Sequence, residues 1–382
     1  MRKPLAYIDR HESVLTGSRN LEHLHTFTDF PVFMGCVDSP PEGDIVADMV
    51  WDIDRDSGMI QLGRLLPLDV LYLDQHNDGT GKVWQDLYTK TADFIYRYKK
   101  GERILEIGGA HDEIASRYLA RAPEAQWTIV EPNPQHIQNP QVKVIKSWFD
   151  EKFKMDEEID MVVHSHVFEH TYDPMAFLRH ISSFLRPGQR HIFAFPNLLP
   201  MLERKFTNCL NFEHTAFLTE YCTDWMLARC GFIVIGKEYY GDPHSILYAT
   251  EKSVEPPAEA PLENRYREYK KTFLDFVEYH GKLVEELNAA IDAASGPVYL
   301  FGAHIFSIYL LRFGLKEGNI VSVLDNSPLK QGKRLYGTGL RVESPHVLHG
   351  KGKVNVILKA GIYNDEIQKD ILENINPSVV FW

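Results

Sequence analysis

RILEIGGAHDEIA (residues 103–115) decides the fold of this 382-residue chain. The apolar run before the glycines predicts a β-strand, and the two glycines permit a tight turn into a helix from about residue 113. Further strand and helix patterns alternate after it. This βαβ alternation predicts an α/β fold with a parallel sheet covered by helices.

Two such units are predicted along the chain. The first has helices at 83–100, from 113, 173–185 and 217–231, strands at 103–109, 127–132, 142–148, 159–165 and 191–196, and a β-pair at 232–250. A linker rich in proline and glutamate and a helix at 262–294 precede a second, smaller Rossmann-like sheet, whose strands lie between residues 298 and 382. The first residues show little pattern apart from GMIQL at 58–62. We therefore predict an irregular N-terminal domain (1–82), a central domain (83–255) and a C-terminal Rossmann-like domain (256–382).

Composition excludes several classes of protein. The net charge of -12 argues against a nucleic-acid partner, which needs a basic surface. The four cysteines are scattered and form no C-x-x-C pair, as expected for reduced thiols. The N-terminal stretch lacks the apolar core of a signal peptide, and no segment is long and apolar enough for membrane insertion. We expect a cytoplasmic protein.

Two acidic residues at predicted strand ends indicate a small-molecule site. Glu106 lies beside Gly108 and Gly109, where its carboxylate would repel a pyrophosphate but suit a cationic, amine-bearing ligand such as S-adenosylmethionine. In WTIVEPNP, Glu131 ends the second strand and could accept both ribose hydroxyls. Trp148 could stack on adenine or belong to the core. A purely structural turn at the glycines is the alternative.

HSHVFEH (164–170) has a spacing that would suit a metal, because imidazole is a common metal ligand. His164 and His166 share a face only while the strand lasts, and His170 lies beyond it in a turn. We therefore predict no metal site. His164 is expected to pack or cap, His166 to lie near the methionine part of the cofactor, and His170 to face the acceptor.

The order EIGG, VEP, SHVFEH, DP and FPN resembles the class I S-adenosylmethionine-dependent methyltransferases over residues 103–250. The whole chain looks like the three-domain sugar-nucleotide C-methyltransferases that act on keto-deoxysugars. Three stretches carry this narrower resemblance: NFEHTAFLT (211–219), GDPHSILY (241–248) and VLDNSPLKQGKRLYGTGLRVESPHVL (323–348).

The resemblance implies three sets of site residues. Those for S-adenosylmethionine are Glu106, Gly108, Gly109, Glu131, Pro132, Trp148 and His166. Those for catalysis are His214, Glu213, His170 and Tyr72. Those for the sugar are His76, Asn197, Asn211 and His244.

C-methylation next to a ketone needs a base and a donor that holds the enolate oxygen. His214 is the expected base, with Glu213 to orient it, and His170 and Tyr72 are expected to hold the oxygen. A sugar O-methyltransferase using the same base remains open, as does a non-catalytic protein that binds a nucleotide or sugar. The expected partner is a sugar or sugar nucleotide, and the protein is expected to be a monomer or homodimer.

The chain departs from the family in its N-terminal region. In place of two C-x-x-C pairs it has Ser13 and Thr16, and Asp54 and Ser57, so a zinc site of four thiolates is excluded. The family's tyrosine-rich loop is LYLDQHNDGTG (71–81), and Asn211 replaces another tyrosine. These changes surround the predicted sugar site.

Overall fold

The computed structural model describes residues 5–72, 81–135, 137–255 and 261–382. Its strands are β1 Ile8–Asp9, β2 Leu21–Pro31, β3 Cys36–Val37, β4 Val46–Asp54, β5 Ile60–Leu62, β6 Arg64–Leu65, β7 Arg103–Ile107, β8 Gln126–Val130, β9 Val142–Ile145, β10 Met161–Ser165, β11 Arg190–Pro196, β12 Phe232–Tyr240, β13 Ser245–Lys252, β14 Val298–Phe301, β15 Ile320–Leu324, β16 Arg334–Leu335, β17 Val342–Glu343, β18 Val354–Leu358 and β19 Val379–Phe381. Its α-helices are α1 Leu68–Leu71, α2 Lys82–Arg97, α3 Glu113–Leu119, α4 Pro174–Phe184, α5 Leu198–Glu203, α6 Glu220–Arg229, α7 Tyr266–Asp292, α8 Ile305–Arg312 and α9 Asn364–Asp370.

A seven-stranded sheet forms the centre of the molecule, in the order β12-β13-β11-β10-β7-β8-β9. Strand β13 runs antiparallel to both neighbours, and the other neighbouring pairs are parallel. Along β10, Val162 packs into the core on one face, while Met161 and Val163 pack on the other. The α/β prediction for this region is confirmed. The carboxyl ends of β7, β8 and β10 meet at one edge, where the predicted site residues follow them.

The N-terminal region is more regular than predicted. Strands β2, β4 and β5 form an antiparallel sheet, and only the last of them was expected from GMIQL. The prediction of an irregular domain is therefore wrong for residues 21–62. Strand β2 reads LEHLHTFTDFP, and its register shifts between His23 and His25 and again between Phe27 and Phe30. These bulges break the alternation of apolar and polar residues by which a strand is recognised.

The C-terminal region contains a five-stranded parallel sheet in the order β17-β15-β14-β18-β19. The long helix α7 leads into it, and Phe273 of that helix packs against Trp51 of β4. Among the helices within the described ranges, none combines the length and apolar character needed to cross a membrane.

The N- and C-terminal regions also contact each other directly. Strand β3 pairs with β16, although about three hundred residues separate the two in sequence. Beside them, the Arg334 guanidinium donates two hydrogen bonds to the Asp44 carboxylate, at 2.7 and 2.8 Å, and both side chains are buried. Phe30 packs on Tyr309 of α8. The predicted three domains thus share an extensive packed interior, and their boundaries remain a prediction.

Candidate functional site

The turn after β7 depends on its two glycines. Gly108 has a positive φ of 74°, in the left-handed region that favours glycine, and its N–H donates to the Val130 carbonyl at 2.9 Å. A Cβ at Gly109 would lie 2.9 Å from the Glu106 carboxyl carbon. A larger residue at position 109 would therefore displace the acid that the sequence assigns to the cofactor.

Glu106 lies at the end of β7 and is only 3% exposed. Its Oε2 accepts a hydrogen bond from Trp127 Nε1 at 2.7 Å. The pKa of Glu106 is raised to about 8, mainly by burial and to a smaller extent by the nearby charges of Asp112 and Glu131, while the Trp127 hydrogen bond opposes the rise. The carboxyl is therefore largely neutral at pH 7, and a cationic ligand group beside it would favour its ionisation.

The second acidic position follows β8. Glu131 is partly buried, its Oε1 accepts from the Asn133 N–H at 2.8 Å, and burial raises its pKa. Pro132 follows it in the same loop. Trp148 is 45% exposed, with its ring centroid 6.2 Å from that of Tyr72. This exposure rules out the alternative that Trp148 belongs to the core, and leaves a flat aromatic face for a ligand.

The histidines of HSHVFEH occupy different environments, as the strand geometry predicts. His164 is 2% exposed, its Nε2 lies 2.9 Å from that of His191, and its ring stacks on Phe193. It is a packed core residue. His170 lies beyond the strand, in the 3-10 turn Phe168–His170.

His166 belongs to a separate polar group that the sequence did not reveal. It has a positive φ of 56°, unusual for a residue with a side chain, and its Nε2 lies 3.0 Å from Ser245 Oγ. His244 Nδ1 lies 2.7 Å from the same hydroxyl, and burial lowers the pKa of His244 to about 4. The Trp84 ring contacts both imidazoles edge-on. The backbone N–H of Asn197 donates to the His244 carbonyl, at the start of α5.

The segment with the second Glu-His pair is held by Asn211. Its Oδ1 accepts from the backbone N–H groups of Glu213 and His214, at 2.8 and 2.9 Å. This role in shaping the turn was missed, and a direct contact of Asn211 with the substrate stays a prediction. His214 Nδ1 lies 3.0 Å from the Cys209 carbonyl, which can only accept, so Nδ1 carries the proton and Nε2 a lone pair. Burial and the neighbouring His170 lower the pKa of His214 to about 4.

The two Glu-His pairs come together to form what we call the histidine–glutamate cluster: Glu169, His170, Glu213 and His214. His170 Nε2 lies 3.7 Å from Glu213 Oε2 and 3.9 Å from Glu169 Oε1, and the two imidazole centroids are 5.5 Å apart. The Thr215 N–H donates to the Glu169 carbonyl at 3.2 Å, which ties the two segments together. Tyr72 Oη lies 3.4 Å from His170 Nδ1. His76 falls outside the described residues.

Glu169 is the member of the cluster that the sequence analysis did not select. It is 1% exposed, and its Oε2 has no hydrogen-bond partner among the described residues. Burial, with a smaller contribution from the charge of Glu213, raises its pKa to about 8. The repetition of the tetrapeptide Phe-Glu-His-Thr at 168–171 and 212–215 was the available signal.

The four positions aligned with the family's cysteines also meet in space; we call them the N-terminal cluster. Thr16 Oγ1 and Ser57 Oγ both donate to Asp54 Oδ2, at 2.8 and 2.6 Å. Ser13 Oγ accepts from the Thr16 N–H at 3.3 Å. Hydrogen bonds thus join the two segments that the sequence register paired.

Comparison with known proteins places a family described as "Methyltransferase domain" on residues 79–236. No curated protein matches the chain. A chain from the Haloferax volcanii complex of the Trm112 methyltransferase activator is 14% identical, covering 46% of this chain and 95% of its own length, with a TM-score of 0.39. The plantazolicin methyltransferase BpumL, bound to a pentazolic analogue and SAH, is 13% identical, with 48% of this chain and 89% of its own length covered and a TM-score of 0.37. An O-methyltransferase family protein from Burkholderia thailandensis is 13% identical, with 45% of this chain and 58% of its own length covered and a TM-score of 0.36.

The chain therefore contains a methyltransferase domain, whose described residues contribute most strands of the Rossmann-like sheet, and it is an enzyme that uses S-adenosylmethionine. The alternative of a non-catalytic binding protein is set aside. The residues at the sheet edge fit this cofactor, since Glu106 and Glu131 offer carboxylates to amino and hydroxyl groups and Trp148 offers an exposed ring.

Proposed function

We propose that the protein transfers the methyl group of S-adenosylmethionine to a carbon next to a ketone, on a deoxysugar linked to a nucleotide. The proposal rests on one observation above all, the fixed tautomer of His214. Its Nδ1 donates to the Cys209 carbonyl, so the lone pair on Nε2 is available within a buried cluster. A base that removes a proton from carbon needs this combination of a free lone pair and a fixed orientation.

The residues of the cluster have distinct proposed tasks. His214 Nε2 takes the proton on the carbon, and the electrons of the broken C–H bond form the enolate, whose charge moves to oxygen. His170, oriented by Tyr72, donates to that oxygen, and Glu213 stabilises the imidazolium of His214. The enolate carbon would then attack the methyl carbon of the sulfonium, so that the new C–C bond forms as the methyl C–S bond breaks and S-adenosylhomocysteine leaves with that electron pair.

The cofactor site supplies the other half of the reaction. S-adenosylmethionine provides an electrophilic methyl group on its sulfonium. Glu106 is proposed to bind its amino group, Glu131 its ribose and Trp148 its adenine. Gly108, Gly109 and Pro132 shape the loops around these groups, and His166 borders the methionine part. His76, Asn197 and His244 are proposed to contact the sugar.

Proton exchange with solvent tests the proposal directly. A panel of nucleotide-linked keto-deoxysugars is incubated in D2O with the protein and S-adenosylhomocysteine, and deuterium at the carbon next to the ketone is followed by NMR. We expect exchange that depends on the enzyme, slowed about 10²–10⁴-fold in His214→Ala. His346→Ala, at an exposed position in the C-terminal region, is the control and should exchange like the wild type.

Methylation of a sugar hydroxyl is the second candidate. Asn211 favours it, because this residue stands in place of a tyrosine and its Oδ1 is already engaged by two backbone amides. His214 would then take a hydroxyl proton. Methyl transfer to a substrate whose C–H protons neither exchange nor disappear would establish this alternative and overturn C-methylation.

A further inference from the structure

We propose that Glu169, His170 and His214 bind a divalent first-row transition-metal ion. Each residue offers one ligand atom, and these atoms lie within 4.8 Å of one another. The sequence predicted no metal because His170 lies beyond the strand that carries His164 and His166; the set proposed here instead joins Glu169 and His170 to His214 of a second segment. The proposal stands on ligand geometry and does not depend on the proposed sugar substrate.

The spacing leaves room for an ion. Zinc lies about 2.1 Å from a histidine nitrogen or carboxylate oxygen, so tetrahedral ligands stand about 3.4 Å from one another. His170 Nε2 and Glu169 Oε1 are 3.9 Å apart, too far for a hydrogen bond. Side-chain movements of about half an ångström would bring this pair to the spacing that a bound metal requires.

The other ring nitrogens are already oriented for metal binding. Metal-bound histidines usually donate their second N–H to a carbonyl or another oxygen, which fixes the tautomer. His214 Nδ1 donates to the Cys209 carbonyl, and His170 Nδ1 lies 3.4 Å from Tyr72 Oη. Both histidines therefore present Nε2 to the interior of the cluster.

The charge of the cluster also favours a cation. Glu169 is buried, its Oε2 has no hydrogen-bond partner, and no Lys or Arg forms an ion pair with it in the part of the chain that the structure describes. A buried carboxylate is costly to ionise unless a cation accompanies it. Two imidazoles and one carboxylate suit Zn²⁺, Fe²⁺ or Co²⁺ better than Mg²⁺ or Ca²⁺, which prefer oxygen ligands alone.

Metal binding would change the task of His214. With Nε2 bound to the ion, that nitrogen has no lone pair for a proton, so metal occupancy and the proposed base role exclude each other. The ion would leave coordination positions for oxygen atoms of the acceptor. Proton exchange should therefore fall as metal occupancy rises.

Cobalt(II) is the probe for this site. The full-length protein, treated with a chelator and free of cofactor and acceptor, is titrated with Co²⁺ while its visible absorption is followed. We expect one Co²⁺ per chain, displaced by Zn²⁺. Glu169→Gln should weaken binding at least about tenfold, and His214→Ala should abolish it. The exposed His346→Ala control should bind Co²⁺ as the wild type does.

Absence of the absorption band, or unchanged affinity in Glu169→Gln, would overturn the proposal. Binding of S-adenosylhomocysteine by each variant shows whether it is folded. Co²⁺ binding without proton exchange in any keto-deoxysugar would support the metal site and contradict C-methylation. Proton exchange without Co²⁺ binding would support C-methylation and contradict the metal site.

Discussion

The N-terminal cluster and the histidine–glutamate cluster are both polar groups that join segments distant in sequence, but they differ in how their carboxylates are used. Asp54 is fully buried, its Oδ2 accepts from Thr16 and Ser57, and its Oδ1 accepts from the Asp56 N–H at 2.9 Å. Glu169 is equally buried, but its Oε2 has no partner among the described residues.

This difference indicates different purposes. A buried group whose hydrogen bonds are complete stabilises the fold, whereas an incomplete one destabilises it until a ligand arrives. Proteins tend to break such local rules at functional sites. The N-terminal cluster therefore holds two loops together, whereas the histidine–glutamate cluster has an unused carboxylate oxygen that a substrate or an ion can contact.

The largest effect is expected for Asp54→Ala. The buried Ser57 hydroxyl, the exposed Thr16 hydroxyl and one amide would lose their acceptor, so the free energy of unfolding should fall by about 3 kcal/mol or more. Urea denaturation followed by circular dichroism measures this. Asp56→Ala removes an exposed carboxylate from the same loop and should destabilise the protein much less. Equal losses of unfolding free energy in the two variants would contradict the conclusion that Asp54 holds the two loops together.

Glu169→Met should have the opposite sign. It replaces an incompletely bonded carboxyl with an apolar chain of similar length, so stability should rise by about 1 kcal/mol while Co²⁺ binding is lost. The same urea titration, run beside a Co²⁺ titration, gives both readouts. A variant that is clearly less stable than the wild type would show that Glu169 supports the fold.

Glu106 should behave between these extremes, because one of its oxygens has the Trp127 hydrogen bond. Its pKa of about 8 lies above the usual 4.5, so the protonated form prevails at pH 7. A bound ammonium group favours the carboxylate, so S-adenosylhomocysteine should release a proton as it binds, and its affinity should rise between pH 6 and pH 8, by less than about tenfold per unit.

Calorimetry in phosphate and in Tris at pH 7 measures that proton, because the observed enthalpy then differs with the ionisation enthalpy of the buffer. Glu106→Gln serves as the control and should show no such difference. Identical enthalpies in the two buffers for the wild type would mean that Glu106 does not meet the amino group.

The central sheet was predictable because buried parallel strands read as short apolar runs. RILEI and MVVHS were recognised in this way, and their observed ends differ from the predicted ones by only a few residues. The N-terminal sheet escaped prediction because β2 is mostly polar and has two register shifts. A bulge depends on the partner strand, which the local sequence does not contain.

The resemblance supplied His170 and His214, which the structure brings together, and their roles stay predictions. Glu169 was not selected, and its burial follows only from the turn at Phe168–His170 packing under the 213–215 segment. The Trp127 hydrogen bond to Glu106 joins neighbouring strands, so it depends on their register.

The pairing of β3 with β16 has a consequence for synthesis on the ribosome. Cys36 and Val37 emerge early, but their partners Leu335 and Arg334 are made some three hundred residues later. At about 5–20 residues per second, this wait lasts at least about fifteen seconds. Strand β3 is thus paired only long after it is made, and the apolar surface around Phe30 likewise stays without its partner Tyr309 until that residue is synthesised.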